Sequence, residues 1–232
     1  LHDALPITAS GTYGTAFSTY TITASNSPTS YNATGLPAGL SVNTTNGQIT
    51  GTPTQTGTFN VDISAGNTNG TDTKTLVITI GQKALTVTGI SIANKQYDQT
   101  NAATISGTPA PSGVYGGDNV TITGSPVATF NSVNVANGIA VTLTGNYTLG
   151  GTDAAKYTLT QPSGFTANIT ARPLTVTGAT AQDKVYNGNT TATITGATLV
   201  GVIPGDAVTV SGGGTFASAN AGNNIAVTAA LS

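Results

Sequence analysis

Few side chains in this chain could carry out chemistry, and aspartate is the only acidic type. Eight aspartates but no glutamate or cysteine occur in 232 residues. The single histidine, His2, lies in an amino-terminal heptapeptide whose composition differs from the Thr-, Gly- and Asn-rich sequence that follows. With that heptapeptide set aside, catalytic triads have few available members. An aspartate pair could still form a glycosidase-like site, but most aspartates fall in predicted turns. We therefore predict a non-enzyme that holds no cofactor.

Three aspartates are candidates for calcium ligands, because hard cations prefer carboxylate and carbonyl oxygens. Asp118 and Asp206 each follow a glycine just before a predicted strand. Asp72 ends the stretch Asn67–Asp72, which faintly resembles an EF-hand loop but lacks its terminal glutamate. For Asp118 and Asp206 we favour the alternative that the aspartate forms a turn.

Two tyrosines and two lysines recur at matching positions. Tyr97 and Tyr186 could offer a stacking platform for a sugar or protein. A core or corner tyrosine whose hydroxyl bonds to nearby backbone is the favoured interpretation, and Tyr157 is treated in the same way. Lys95 and Lys184 could form isopeptide cross-links with asparagine, but the favoured interpretation is a solvated or turn-anchoring lysine.

These recurrences belong to an internal repeat. "ALTVTGISIANKQYDQTNAATISG" starts at Ala84, and "PLTVTGATAQDKVYNGNTTATITG" starts 89 residues later at Pro173. Further on, "GGDNVTITG" matches "PGDAVTVSG" and sets Asp118 opposite Asp206. Within each copy apolar residues alternate with threonine, which is typical of strands with one buried and one wet face. The pattern predicts an all-β protein built from sandwich or Greek-key units.

Composition excludes several partners. Only 6% of residues are charged and the net charge is −2, so no basic patch is available to neutralise nucleic-acid phosphates. The apolar runs are far shorter than a transmembrane span, and we expect no membrane insertion in this segment.

The chain divides into four segments. Residues 1–7, "LHDALPI", read like the translation of a sequencing adaptor and are predicted to be non-native. Residues 8–81 form one unit, 82–171 a first repeat and 172–232 a second repeat. The second repeat stops before a counterpart of "GNYTLGGTDAAKYTLTQPSGFTANIT", and we expect it to be truncated. The junctions carry no flexible Gly/Ser tract, which favours an elongated array.

The first unit resembles an immunoglobulin-like, cadherin-like domain of bacterial surface proteins. The resemblance rests on "LPAGL", "GQITGTP" and "GTF" within Tyr31–Thr71. The motif residues are Leu36, Pro37, Gly39, Gly51 and Pro53. A β-sandwich fold for residues 8–81 is what this resemblance implies.

The two repeats resemble the YDG domain, which is named for a Tyr-Asp-Gly motif. The first copy has Tyr97, Asp98 and then glutamine, and the second has Tyr186, Asn187 and Gly188. "GTDAAKYTLTQP", at residues 151–162, is similar to another segment of that family. The resemblance implies tandem domains of large secreted or surface proteins, including filamentous-haemagglutinin-like adhesins.

These observations predict a stalk or spacer segment of a secreted or cell-surface bacterial adhesin, with an extracellular location. Its expected partners are the neighbouring repeats of the same polypeptide. One alternative is that the Ig-like unit binds a host-cell or matrix glycan or protein, through loops near Tyr31 and Asn67–Asp72. Another is that the segment is an accessory spacer of a secreted carbohydrate-active enzyme.

Overall fold

A computed structural model describes residues 7–232 and has an all-β fold. The heptapeptide predicted to be non-native lies outside these residues except for Ile7, which begins the first strand. Within the described residues the only helix is a single 3₁₀ turn, η1, at Ala154–Lys156. The prediction of an all-β fold is confirmed.

The Ig-like domain contains seven strands, which form two sheets of order β1-β7-β6-β3 and β2-β5-β4. The strands are β1 Ile7–Thr12, β2 Tyr20–Thr21, β3 Ser30–Thr34, β4 Leu40–Val42, β5 Gln48–Gly51, β6 Gly57–Asn67 and β7 Gly70–Gly81. Two hairpins join these strands: Asn46 and Gly47 lie in the turn between β4 and β5, and β6 turns into β7 beside the pair Asn67↔Gly70.

Alternation along these strands builds the core. In β6 and β7 the buried positions are every second residue, as in Val61, Ile63, Leu76, Ile78 and Ile80. Threonines occupy most of the opposite face of β7, where their hydroxyls meet water. Burial of one face of each sheet therefore follows directly from the period of two.

The motif "LPAGL…GQITGTP" brings two backbone segments into close contact. The backbone N–H of Thr52 donates to the carbonyl of Gly39 at 3.1 Å. Gly39 has a φ of +88°, and a side chain on it would overlap the Thr52 carbonyl oxygen. Gly51 has a φ of +130° and faces the Gly39 carbonyl in the same way. Pro37 and Pro53 are fully buried on either side, so the motif is a packing device.

The first repeat contains ten strands and η1. The strands are β8 Lys83–Ile92, β9 Lys95–Gln96, β10 Ala102–Ala103, β11 Ile105–Ser112, β12 Thr121–Thr123, β13 Val127–Phe130, β14 Ala136–Thr144, β15 Thr148–Gly150, β16 Tyr157–Thr160 and β17 Thr166–Thr170. Three sheets result, of order β11-β8-β16, β12-β15 and β10-β13-β14-β17-β9.

The second repeat contains seven strands in the described residues. They are β18 Thr175–Thr177, β19 Thr180–Ala181, β20 Thr191–Ala192, β21 Ile194–Thr195, β22 Thr198–Val200, β23 Gly212–Phe216 and β24 Val227–Leu231. The pairings are β18 with β22, β19 with β21, and β20-β23-β24.

The chain forms two compact units, which divide within the first repeat. Unit 1 consists of the residues up to Ile92, Thr104–Ala128 and Thr142–Phe165. Unit 2 consists of Ala93–Ala103, Thr129–Val141 and Thr166–Ser232. Unit 1 therefore holds the Ig-like domain with part of the first repeat, and unit 2 holds the rest of that repeat with the second.

Candidate functional site

In unit 1 a partly buried cluster of polar side chains centres on Asp118. The turn before β12 places this residue, because the N–H of Asp118 donates to the carbonyl of Tyr115 at 3.1 Å. One carboxylate oxygen, Oδ2, accepts hydrogen bonds from the hydroxyls of Tyr13 at 2.6 Å and Tyr157 at 2.5 Å. The other oxygen lies 3.4 Å from Nζ of Lys156. We call these five residues the tyrosine–aspartate cluster.

Backbone contacts fix the donors of the cluster. Tyr13 follows β1, and its N–H donates to the carbonyl of Gly81 at 3.0 Å. Tyr157 begins β16, opposite Lys83 of β8. The Tyr157 hydroxyl also accepts the N–H of Tyr115 at 3.0 Å. Each hydroxyl is therefore held by a strand end, which preorganises it to meet the carboxylate.

The aromatic rings of the cluster pack edge to face. The Tyr13 ring centroid lies 5.7 Å from that of Tyr115 and 5.4 Å from that of Tyr157, with interplanar angles of 84° and 80°. The ammonium of Lys156 stands 5.2 Å from the Tyr13 ring centroid. Such geometry is favourable for ring quadrupoles and for a cation beside an aromatic face.

Burial and hydrogen bonding set the charge states of the cluster. The side chains of Tyr13 and Tyr157 are only 2% and 3% exposed. Hydrogen bonds from Tyr13 and then Tyr157 hold the pKa of Asp118 below its usual range. Burial, followed by the bond to Asp118, raises the pKa of Tyr157 to about 12. At neutral pH an ionised carboxylate thus accepts from two neutral hydroxyls, and charge-assisted bonds of this type are the strong ones.

The cluster joins the Ig-like domain to the first repeat. Tyr13 belongs to the Ig-like domain, whereas the other four members belong to the repeat. Two further contacts cross the same junction: Nζ of Lys83 lies 3.4 Å from the carbonyl oxygen of Gly14, and Tyr115 packs so closely on Gly14 that an added Cβ would lie 2.5 Å from its ring. Leu85 and Tyr157 of the first repeat also share one hydrophobic core with apolar residues of the Ig-like domain.

In unit 2 an aspartate at the same repeat position makes a second contact of this kind. Asp206 lies in the turn of the second repeat that corresponds to the Asp118 turn of the first repeat. Its N–H donates to the carbonyl of Ile203 at 3.0 Å. Its Oδ1 accepts from the hydroxyl of Tyr97 at 2.9 Å and from the amide of Gln99 at 2.8 Å. Tyr97 and Gln99 belong to the first repeat and Asp206 to the second, so this contact also crosses a junction.

The Tyr-Asp-Gly loop of the first repeat is a compact turn. Asp98 Oδ1 accepts from the N–H of Thr100 at 2.9 Å and forms an ion pair with Lys95 at 2.6 Å. The Lys95 bond, followed by the two from Thr100, lowers the pKa of Asp98 to about 2. Gln99 stands at the motif's glycine position with a φ of +65°. A left-handed φ is costly for a residue with a Cβ, which explains why glycine suits this position.

The second repeat has the same loop with different residues. Gly188 takes the position of Gln99 with a φ of +77°. Asn187 replaces the motif aspartate and accepts the N–H of Asn189 at 3.3 Å. The ammonium of Lys184 donates to the Asn189 carbonyl at 2.6 Å, as that of Lys95 does to the Thr100 carbonyl at 2.8 Å. The interpretation of both lysines as turn anchors is confirmed.

The tyrosine predictions have mixed outcomes. Tyr157 is a core residue whose hydroxyl contacts nearby backbone, as predicted. For Tyr97 the predicted partner is wrong, because the hydroxyl bonds to the Asp206 carboxylate in the next repeat. Sequence spacing cannot show that contact, since it joins residues that are far apart in the chain. Tyr186, the counterpart of Tyr97, is 65% exposed, so its interpretation as a core tyrosine is wrong.

The three aspartates proposed as calcium ligands each accept hydrogen bonds from donors of the protein. Hydrogen-bond donors surround the Asp118 and Asp206 carboxylates, whereas a calcium site needs several converging oxygen acceptors. Asp72 lies in β7 and accepts the N–H of Thr73 at 2.9 Å. Over residues 7–232 no three His, Cys, Asp or Glu side chains come together as a metal-binding group.

Comparisons with known proteins match two family models to this chain. A family model described as "YDG domain" matches residues 81–164 and 170–232, well over half of the chain. This chain belongs to the YDG-domain family. A second model, described as "Putative Ig domain", matches residues 4–81. An Ig domain followed by two YDG domains is therefore the architecture, as the motifs indicate.

Solved structures give only distant likenesses to this YDG protein. Two Bacteroides fragilis proteins, each named as a "putative alpha-galactosidase", are 27% and 29% identical over 40% and 41% of this chain, with TM-scores of 0.31 and 0.32. The matched regions cover 20% of each of those chains. An endo-fucoidan hydrolase of glycoside hydrolase family 107 is 16% identical over 81% of this chain and 30% of its own, with a TM-score of 0.27. No curated protein sequence matches.

The described residues contain no helix with the length and apolar character of a membrane span.

Sequence reasoning identified the repeat positions of Asp118 and Asp206 but missed Tyr13, Lys156 and Gln99 as their partners. The recurrence of a Gly-Asp turn in both repeats was the sequence signal that pointed to these two aspartates. The second role of each aspartate, as the acceptor for a side chain from the preceding domain, depends on tertiary structure.

Proposed function

We propose that this chain is a non-catalytic spacer segment of a large secreted or cell-surface bacterial adhesin. Its role is to hold successive β-domains in fixed register, so that a binding domain elsewhere in the polypeptide is presented at a distance. The observation that supports this most directly is the recurrence of one junction device: Asp118 and Asp206 occupy the same turn, and each accepts a hydroxyl from a tyrosine of the preceding domain.

The junction chemistry suits a spacer. A hydrogen bond is directional, so the Tyr13–Asp118 contact sets orientation as well as proximity. The rings of Tyr13, Tyr115 and Tyr157 add buried apolar contact around that bond. A flexible linker of Gly and Ser would leave neighbouring domains free to reorient, whereas here β7 ends at Gly81 and β8 begins at Lys83.

Backbone ¹⁵N relaxation on the intact chain tests this function. We expect amides of residues 8–81 and of 104–128 to report one shared rotational correlation time. The paired substitution Tyr13→Phe with Asp118→Asn should give the two groups different values. Independent tumbling in the unsubstituted chain would contradict a spacer of fixed geometry.

A second candidate function is direct ligand binding by the Ig-like domain. The observation in its favour is a polar groove of about 360 Å³ beside the β6–β7 hairpin, lined by residues that include Asn26, Asn67, Asn69 and Asp72. Asparagine and aspartate side chains suit sugar hydroxyls. A glycan array and a panel of matrix proteins probed with the intact chain distinguish the two functions. Saturable binding that Asn69→Ala weakens supports the Ig-like binder, and no binding supports the spacer.

A further inference from the structure

The Tyr-Asp-Gly loop of the second repeat contains asparagine followed by glycine, a dipeptide that is prone to deamidation. Asn187 and Gly188 are both exposed, and an added Cβ at Gly188 would meet no atom within 4 Å. Over residues 7–232 the N–H of Gly188 donates to no acceptor. Because glycine has no Cβ, its backbone nitrogen can approach the side-chain carbonyl carbon of the asparagine before it.

The openness of this loop is a property of the loop itself, since the first repeat shares it. Asp98 and Gln99 occupy the same two positions and are also exposed, with the Asp98 side chain 47% exposed. Within the described part of the chain the N–H of Gln99 likewise has no acceptor. Both loops have a left-handed φ at the second position, +65° in the first repeat and +77° in the second. The exposure of Asn187 therefore follows from local geometry that both repeats have.

Three other Asn-Gly pairs occur in the chain, and their glycines lie in hydrogen-bonded structure. The N–H of Gly47 donates to the carbonyl of Asn43 at 2.8 Å, and that of Gly138 donates to Asn168 Oδ1 at 2.8 Å. Gly70 lies in the ladder between β6 and β7. A nitrogen that is held in this way must be released by local opening before it can attack a neighbouring side chain.

We propose that Asn187 is a deamidation site whose aspartate product restores the Tyr-Asp-Gly motif in the second repeat. The Gly188 nitrogen loses its proton and attacks the carbonyl carbon of the Asn187 side chain. The new C–N bond closes a five-membered succinimide, and ammonia leaves. Water then adds to one of the two imide carbonyls and breaks the C–N bond at that carbon. Attack at the side-chain carbonyl gives aspartate in the ordinary backbone, whereas attack at the backbone carbonyl gives isoaspartate.

The second repeat already contains the partner that a carboxylate at position 187 needs. In the first repeat Asp98 forms a 2.6 Å ion pair with Lys95, and the bond to Lys95 is the largest cause that lowers the pKa of Asp98 to about 2. Lys184 occupies the position of Lys95, and its ammonium closes the same loop. Conversion of Asn187 to aspartate thus supplies the negative partner for an ammonium that is already in place.

Incubation of the intact chain at mildly alkaline pH, followed by peptide mapping with mass spectrometry, tests the reactivity. We expect Asn187 to convert at least about tenfold faster than Asn46 and Asn137, because glycine nitrogens held in hydrogen bonds react only through local opening. The substitution Asn187→Gln lengthens the side chain and should suppress conversion at this position while leaving the other two sites unchanged. Conversion of Asn187 no faster than that of Asn46 and Asn137 would overturn the proposal.

The variant Asn187→Asp tests the role of the product separately from its formation. In the freshly prepared unsubstituted chain the N–H of Asn189 donates to Asn187 Oδ1 at 3.3 Å. We expect this amide to exchange about two- to fivefold more slowly in Asn187→Asp, which is the range for an exposed ion pair. High salt should remove the difference by screening the pair. Equal exchange in the two chains at low salt would show that Lys184 does not receive the carboxylate, and would refute restoration of the motif.

Discussion

The bond between Tyr13 and Asp118 should make a large and strongly coupled contribution to the stability of unit 1. A hydrogen bond to a charged group contributes about 1.5–3 kcal/mol, and this one is 2.6 Å long with a donor side chain that is 2% exposed. We therefore expect Tyr13→Phe to lower the free energy of unfolding by about 2 kcal/mol. Asp118→Asn keeps the shape but removes the charge that strengthens two bonds, and should cost about 2–3 kcal/mol.

A double-mutant cycle isolates the pair. If the hydroxyl and the carboxylate interact directly, the double variant should lose less than the sum of the single losses by about 1–2 kcal/mol. Urea unfolding followed by tyrosine fluorescence measures these energies, since the chain has eight tyrosines and no tryptophan. Losses that add to within about 0.5 kcal/mol would refute the direct interaction.

Two further variants serve as controls for the cycle. Tyr147→Phe alters a tyrosine that is 4% exposed and lies outside the cluster. Asp62→Asn alters an exposed aspartate on β6 that accepts a 3.4 Å hydrogen bond from the hydroxyl of Thr75. Neither should couple to Tyr13→Phe by more than about 0.5 kcal/mol. Coupling of similar size at a control would mean that the effect spreads through the core and does not belong to the pair.

Three other predictions follow from the same geometry. Because the folded-state pKa of Tyr157 is about 12 and its unfolded value is near 10, the stabilising contribution is fully present below pH 10. This contribution should be lost as pH rises from about 10 to 12. Thermal unfolding measured across that range would detect the loss. An unfolding temperature that stays unchanged between pH 9 and 12 would contradict the prediction. Gly39→Ala should cost about 2–4 kcal/mol, since it combines a left-handed φ with overlap at a backbone carbonyl; a loss below 1 kcal/mol in urea unfolding would show that the motif can relax. Gln99→Gly should relieve about 1 kcal/mol of backbone strain but remove the hydrogen bond from the Gln99 amide to Asp206. Gln99→Ala loses the same hydrogen bond and keeps the strain. We therefore expect hydrogen exchange to show that the alanine variant is less stable than the glycine variant.

The repeating elements were predictable from sequence because each depends on local chemistry. Alternation of apolar residues with threonine in "LTVTG" gives β8, and Asn46–Gly47 gives the turn between β4 and β5. Lys95 anchors its own loop within a few residues, so its role was predictable in the same way. These features need no knowledge of which domains meet.

The junction contacts were not predictable in this way. Asp118 was correctly interpreted as a turn residue, since its N–H closes the turn to Tyr115. The turn is closed by the backbone of Asp118, so its carboxylate is available for other hydrogen bonds. The tyrosine hydroxyls that donate to it belong to residues 105 and 39 positions away along the chain. Spacing within one repeat contains no information about Tyr13, which belongs to a different domain.

Three of the few charged side chains in this chain lie where domains meet. Only 6% of residues are charged, yet Asp118 and Lys156 lie in the first junction and Asp206 lies in the second. A partly buried carboxylate is unfavourable unless donors satisfy it, so each aspartate loses one of its donors when the tyrosine of the preceding domain is out of place. Removing that tyrosine leaves a desolvated charge with fewer donors. The aspartate therefore penalises a misplaced neighbour as well as stabilising the correct one, and a purely apolar contact of the same area would not discriminate between orientations in this way.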